Sequence, residues 1–249
     1  MNYFLIINGK RLKSFSIILL TAFVTAWFIY IQDNTLPVFS TSDGPKAVYK
    51  GKDGVALTFN IGWGDENAEP IVDLLIKNNI KSATFFLSGS WAERQPDLVN
   101  KMVKHGYDIG LLGYEYKDYK DLEDVEIRRD ILKAEQVFKK MGVKHKKILR
   151  SPTGHFDKRL LKISNQLGYT VFHWNINTED WKNPGVKEIV SKVKKAKTGD
   201  IILLHASDSA KQTIIALPEI LQVLKENGLK LVSATEMMID GKAKTNEVN

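Results

Sequence analysis

VALTFNIGWGDE, residues 55–66, decides the fold. Its first seven residues are mostly apolar and are bracketed by Gly54 and Gly62. The apolar positions do not strictly alternate, so the run reads as a strand covered on both faces. Six further runs share this character: SATFFLS (82–88), DIGLLG (108–113), KKILRS (146–151), TVFHWNI (170–176), DIILLHA (200–206) and KLVSAT (230–235). Between them lie helical patterns over Glu66 to Asn79, Trp91 to His105, Asp121 to Met141, Asp157 to Leu167, Val186 to Ala196 and Ala210 to Asn227. The plainest of these puts Ile127, Ile131, Ala134 and Phe138 on one face and stops at Gly142. Seven β–α units of this kind predict an α/β protein with a largely parallel sheet, either doubly wound or closed as a (β/α) barrel.

Composition narrows the chemistry. The 249 residues include no Cys, which excludes disulfides, thiolate metal sites and Cys nucleophiles. No G-x-G-x-x-G follows the first strand and no G-x-x-x-x-G-K-[ST] occurs, so no nucleotide phosphate cradle is supported. The formal charge of +7 is too diffuse to point to nucleic acid. Part of it belongs to the N-terminus, where Lys10, Arg11 and Lys13 precede any acid. From Gln32 onward the balance is 33 basic against 29 acidic residues.

That basic flank leads into FSIILLTAFVTAWFIYI, residues 15–31, which carries no charge. At ~1.5 Å per residue the run reaches across a thin bilayer core. Trp27 and Tyr30 suit the far interface, and the positive flank predicts a cytoplasmic N-terminus with everything after Ile31 outside. Bulky residues stand where a small-x-small cleavage site would follow, so a retained single-pass anchor over 14–31 is the reading. A cleaved signal peptide is its rival. The expected organisation is a cytoplasmic flank and anchor over 1–32, a linker over 33–53, one domain over 54–240 and a polar tail over 241–249.

In either α/β architecture, reactive side chains gather at the carboxyl ends of the strands. Those ends carry Asn60 and the loop with Trp63 and Asp65; Tyr114; Arg150 and Pro152; Trp174, Asp180 and Trp181; and His205. His205 in that position can act as a general acid, with Asp180 orienting it. Each residue also has a plainer role: a satisfied histidine, a loop-capping carboxylate or an ion-paired arginine.

Taken together, TFNIGWGDE, ATFFLSGSWAERQPD, QVFKKMGVK, DWKNPGV and GDIILLHASDSA resemble the NodB-homology polysaccharide deacetylases, carbohydrate esterase family four. With PVFSTSDGPKAVYKG (37–51), the resemblance runs from the N-terminal anchor to about Met238 and leans toward the sporulation-associated members. It implies a distorted (β/α)7 barrel of the NodB type, preceded here by a transmembrane helix. It also implies removal of N-acetyl groups from peptidoglycan or chitin-like glycan, with a divalent metal, typically zinc, held by one Asp and two His. A further Asp serves as base and a His as acid.

This sequence departs from that pattern. The T-F-D-D-G motif is Thr58-Phe59-Asn60-Ile61-Gly62, so Asn60 replaces the base and Ile61 the carboxylate ligand. The H-[ST]-x-x-H motif is Leu112-Gly113-Tyr114-Glu115-Tyr116, which loses both histidines. Arg150, Pro152 and Gly154 keep R-x-P-x-G; Asp180-Trp181 keep the D-W element; Leu203 and His205 keep L-x-H. The resemblance therefore implies acid-side residues His205, Asp180 and Arg150, with Arg150 meeting Asn60. It implies a groove formed by Trp63, Asp65, Tyr114, Pro152, Trp174 and Trp181, and Trp91 is a further aromatic candidate. No metal is expected at the usual site. Zinc or another divalent cation would need a rearranged set such as Asp65, Glu66 and the Tyr114–Tyr116 stretch, although Asp65 and Glu66 equally suit a helix start. The expected partner is N-acetylated glycan. The expected function is a deacetylase-like protein with impaired or absent metal-dependent turnover, or a non-catalytic glycan-binding module.

Overall fold

A computed structural model of the chain describes residues 18–25, 40–41, 44–239 and 244–246. The chain divides into two units, Met1–Pro37 and Val38–Asn249. In the first, residues 18–25 are helical, and Ile18, Leu19, Leu20, Phe23 and Val24 are exposed. The rest of the expected anchor lies outside the described residues. Among the described residues, no helix is long and apolar enough to cross a membrane.

The second unit is a curled parallel sheet wrapped by helices. From Val55 onward its parallel strands and α-helices are, in chain order, β1 (Val55–Ile61), α1 (Ala68–Lys77), β2 (Thr84–Leu87), α2 (Gly89–Ala92), α3 (Pro96–Lys104), β3 (Asp108–Leu111) and α4 (Asp124–Lys140). There follow β4 (Ile148–Leu149), α5 (Lys158–Gln166), β5 (Thr170–Val171), β6 (Ile176–Asn177), α6 (Val186–Val193), β7 (Ile201–His205), α7 (Thr213–Glu226), β8 (Leu231–Val232) and α8 (Ala234–Ile239). The strands hydrogen-bond in the order β5-β4-β3-β2-β1-β7-β6, all parallel, and β8 pairs with the first residues of β1.

Several elements are shorter than the sequence pattern suggests. Pro96 starts a new helix, so the stretch from Trp91 to His105 becomes α2 and α3. KLVSAT holds only the two-residue β8 before α8 begins. TVFHWNI is not one strand: its ends are β5 and β6, at opposite ends of the sheet path. Five residue steps separate Val171 from Ile176, a reach of at most about 18 Å. The sheet must therefore curl until its edges nearly meet, which gives a barrel with an open seam.

Residues expected to end a linker occupy that seam. Ala47–Lys50 is a strand whose Ala47 and Val48 are fully buried. Val48 bridges to Phe172, and its carbonyl accepts the His173 N–H at 2.8 Å. Gly51 donates to the Gly199 carbonyl at 2.7 Å, and Lys50 pairs with Asp200 at 2.7 Å. The domain thus begins before residue 54.

The period-two geometry of β1 sorts its side chains. Leu57, Phe59 and Ile61 point into the core between sheet and helices, where Phe59 stacks on Phe85 at 5.1 Å. Thr58 and Asn60 take the other face, inside the barrel.

Two histidines are held neutral by the fold. Burial, helped by the Lys147 charge, pulls His145 down to about 4; burial and the Arg150 charge pull His173 down to about 3. Unfolded imidazoles titrate near ~6.5. Between that value and the folded one, the unfolded chain binds protons that the folded chain does not, so stability falls as pH drops below about 6.5. The thermal midpoint should decline steadily from pH 7 to 4.5, and His145→Gln should flatten that decline. An unchanged slope in the variant would contradict this reading.

Candidate functional site

The site is built where β1, β4 and β7 end. Register sets His205 directly beside Asn60 on neighbouring parallel strands. Both side chains are nearly buried, at 8% and 2% exposure. Arg150 follows β4 and projects beneath them, fully buried. Its guanidinium donates to Asn60 Oδ1 (3.0 Å), Thr58 Oγ1 (2.9 Å), the Phe172 carbonyl (3.0 Å) and the His173 carbonyl (3.0 Å). Its flat face lies 4.0 Å from the Phe86 ring centre. Every one of these partners is neutral, and burial lowers the guanidinium's pKa well below its ordinary value.

Asp180 opens a short 3-10 turn, Asp180–Lys182, and is fully buried. His205 Nδ1–H donates to Asp180 Oδ1 at 2.7 Å, and the His205 backbone N–H donates to Oδ2 at 2.7 Å. Thr213 Oγ1 donates to Oδ2 at 2.6 Å, and the Trp181 N–H to Oδ1 at 3.1 Å. This fixes the imidazole and leaves Nε2 facing the open side.

That open side is a cleft of about 500 Å³. Of the residues singled out from sequence, it brings together Asn60, Trp63, Pro152, Trp174, Trp181 and His205. Arg150 and Asp180 support it from below. Asp65 and Tyr114 do not line it: Asp65 accepts from Gln95 Nε2 at 2.9 Å, and the Tyr114 hydroxyl donates to Glu93 at 2.7 Å. Trp91 is core, fully buried, with its indole N–H on the Gly64 carbonyl at 2.6 Å.

The cleft also contains Thr153, Asn177 and Ser207, which lie within the strand-end stretches but carried no assigned role, and His155 and Ser209, which sequence reasoning passed over. Tyr116, read from sequence as a lost ligand or a member of a rearranged cation set, is a cleft wall whose ring lies directly over Gly62. A side chain at Gly62 would collide with that ring. His155 is a second histidine at the cleft and donates Nδ1–H to Asp118 at 2.6 Å. Its place immediately after R-x-P-x-G was the available signal. Among the described residues of this unit, the exposed aromatic side chains are Trp63, Tyr116 and Trp181, and all three face this cleft.

Two carboxylates hold the loops around the cleft. Asp208 accepts backbone N–H groups of Asp65, Glu66 and Asn67 at 2.9–3.1 Å. Burial would raise its carboxyl, but these three donors outweigh burial and hold it below the usual range. Asp208, from another loop, thus holds the segment that leads into α1; the N-cap is Asn67, and neither Asp65 nor Glu66 stands at the cap position. Gly64 turns there at φ +95°, and any side chain on it would strike that carboxylate. Asp130, on α4, accepts from Tyr114 N (2.8 Å), Glu115 N (2.9 Å) and the Tyr119 hydroxyl (2.7 Å), which pins the loop carrying Tyr116.

These residues do not fit a zinc site of one Asp and two His. Ile61 is fully buried in the core facing the helices, and Leu112 is fully buried. Tyr116 supplies a phenol ring. Asp208, Asp130 and Asp180 are committed to N–H and O–H donors. Among the described residues, no three His, Asp or Glu side chains converge as a cation site.

Comparison with known proteins agrees with this architecture. The sequence profile of the polysaccharide deacetylase family matches residues 47–172. A peptidoglycan-N-acetylglucosamine deacetylase of Bacillus cereus is 34% identical over 188 residues, covering 74% of this chain and 87% of its own. The uncharacterized protein YlxY of Bacillus subtilis is 32% identical, covering 78% of this chain and 61% of its own. Among solved structures, a carbohydrate esterase family four pseudoenzyme from Bacillus anthracis superposes with a TM-score of 0.72 at 30% identity, covering 78% of this chain and 69% of that one. The chain belongs to the polysaccharide deacetylase family.

Asn60→Asp would place a carboxylate against Arg150. We expect about 1–2 kcal/mol of added stability in denaturant unfolding, the gain of a charged over a neutral hydrogen-bond partner. Elemental analysis should still find no stoichiometric zinc, because the ligand positions remain Ile61, Leu112 and Tyr116.

Proposed function

We propose that this chain holds N-acetylated cell-wall glycan in the cleft and has lost the metal-dependent hydrolysis of its family. The observation that carries this is the site floor. A carboxamide, Asn60, sits on Arg150, beside an intact Asp180–His205 pair and within a wall of exposed aromatic rings. Pyranose rings present apolar C–H faces and polar edges, which suits Trp63, Tyr116 and Trp181 at the faces and Thr153, Asn177 and Ser209 at the edges. An amide cannot take a proton from water at ordinary pH, and the donor set gives no place for a Lewis acid.

The acetylglucosamine deacetylase relatives support peptidoglycan as the glycan, and the pseudoenzyme neighbour supports loss of turnover. The basic flank and apolar run support a single-pass anchor over 14–31 with the barrel on the extracytoplasmic side. Assignment to sporulation rests on the sequence resemblance alone, with the space between the forespore membranes or the outside of the mother cell membrane as the expected location.

The test is acetate release and glycan binding measured together on the full chain, with acetylated chito-oligomers and peptidoglycan as ligands. We expect saturable binding, no acetate and no stoichiometric metal. Trp181→Ala should weaken binding by about 1–2 kcal/mol, as loss of an aromatic anchor does. Rapid acetate release with bound zinc would overturn the proposal. Slow metal-independent release abolished by His205→Phe would instead favour a residual activity of the Asp180–His205 pair.

A further inference from the structure

The two ends of the barrel differ in charge. In a parallel sheet with crossover helices, strand starts and helix ends share one face, opposite the cleft. Lys52, Lys81, Lys104, Lys144, Lys197 and Lys230 precede β1, β2, β3, β4, β7 and β8 in turn, and all six are exposed. Lys194 and Lys195 stand beside Lys197, and Lys77 and Lys225 lie in the last turns of α1 and α7, again exposed. Among the described residues, none of these lysines forms an ion pair.

Acids that could offset them turn inward. Buried Asp108 accepts the Thr235 N–H at 2.9 Å; buried Asp200 binds Lys50 at 2.7 Å and the Lys197 N–H at 2.8 Å. The exposed acids at this end, among the described residues, are Asp53, Glu226 and Glu236, and Glu236 is bonded to the Ser233 N–H at 2.6 Å. Helix dipoles account for Lys77, Lys104 and Lys225, but the effect fades beyond the last turn. Lys52, Lys81, Lys144, Lys197 and Lys230 lie in loops. The cleft end is mixed, with Asp65, Glu66 and Glu93 beside Arg94, Lys120 and Lys211. The small basic excess beyond Gln32 is therefore gathered at one end of the barrel.

That end also holds an apolar feature. A cavity of about 560 Å³ opens beside α7 and the loops before β2 and β8. Ile80, Leu221, Leu224 and Leu229 line it, together with the exposed Lys225 and Lys230.

We propose that this lysine face seats on an anionic bilayer surface and turns the cleft away from it. A soluble polyanion would use the lysines alone. Phospholipids offer phosphates to the lysines and apolar atoms just beneath them to the cavity, and binding at such an interface draws on both. Each lysine near an anionic bilayer adds about fivefold to affinity. Because the cleft lies at the opposite ends of the same strands, Trp63, Tyr116 and Trp181 then point away from the lipid. The inference rests on the anchored reading for the nearness of the bilayer: residues 32–46 form a tether of at most about 54 Å.

The test uses the full chain, reconstituted from detergent with vesicles of phosphatidylcholine alone or with about 30% phosphatidylglycerol, which supplies the negative surface potential. Vesicles are recovered by flotation, and lysine acylation is mapped by mass spectrometry. Lys52, Lys81 and Lys230 should react at least about fivefold more slowly on the anionic vesicles, while Lys120 and Lys211 react alike on both. Salt at about 0.5 M should remove the difference. Lys194→Glu, Lys195→Glu and Lys197→Glu combined should restore the faster rate at Lys52, Lys81 and Lys230. Flotation with both vesicles and equal acylation on both would overturn the proposal and leave the anchor intact. Flotation with the anionic vesicles alone, with the lysine face protected, would support the proposal and defeat the anchor. Flotation with neither defeats both. Protection of the same lysines by soluble poly(glycerol phosphate), with none from the vesicles, would assign the face to a polyanion and overturn the bilayer reading.

Discussion

A buried arginine without an anion is the constraint on which the rest of the barrel depends. Removing a guanidinium from water is expensive, and a carboxylate usually offsets that cost. Arg150 instead has an amide, a hydroxyl and two backbone carbonyls, with aromatic faces against its plane. Each hydrogen bond to a charged donor is worth more than a neutral one, and the ring contacts add cation–π attraction. These partners come from β1 and from the residues that follow β5 at the seam. The guanidinium therefore ties the centre of the sheet to the edge where it fails to close. Thr58 completes the tie by donating onward to the Ile202 carbonyl of β7 at 2.6 Å.

Around that cation, carboxylates serve as organisers of backbone. Asp180 binds the His205 and Trp181 N–H groups, Asp208 gathers three N–H groups at the start of α1, and Asp130 pins the loop before Tyr116. Each satisfies N–H donors that would otherwise be left without partners where strands give way to loops. A carboxylate so engaged has few lone pairs left for a metal. The misfit to a zinc site is therefore spread through the structure: Ile61 belongs to the hydrophobic core, and Tyr116 is a wall of the cleft.

Much of the fold was legible because its signal is local. Strand and helix alternation follows from apolar periodicity, and the strand-end location of the site follows from parallel topology. Other features depended on long-range pairing. Nothing in TVFHWNI announces that its two halves belong to opposite edges of the sheet. AVYK looked like linker because four residues carry little periodicity, and only the seam makes them a strand. Asp65 and Glu66 looked like the cap of α1 because sequence adjacency favours them, yet the N-cap is Asn67, and Asp208 of a distant loop accepts the N–H groups of both acids. His155 and Ser209 needed the fold to bring their loops to the cleft.

By itself, the sequence determined the family pattern and the departures from it: Asn60, Ile61, Leu112 and Tyr116 in place of acids and histidines. Those are statements about atoms available, and composition at aligned positions suffices for them. Only the tertiary structure decided what the remaining atoms do. Hydrogen-bond polarity is set by partners, so the direction of the Asn60 amide and the tautomer of His205 depend on Arg150 and Asp180. Those partners lie far away in the chain and adjacent in the barrel.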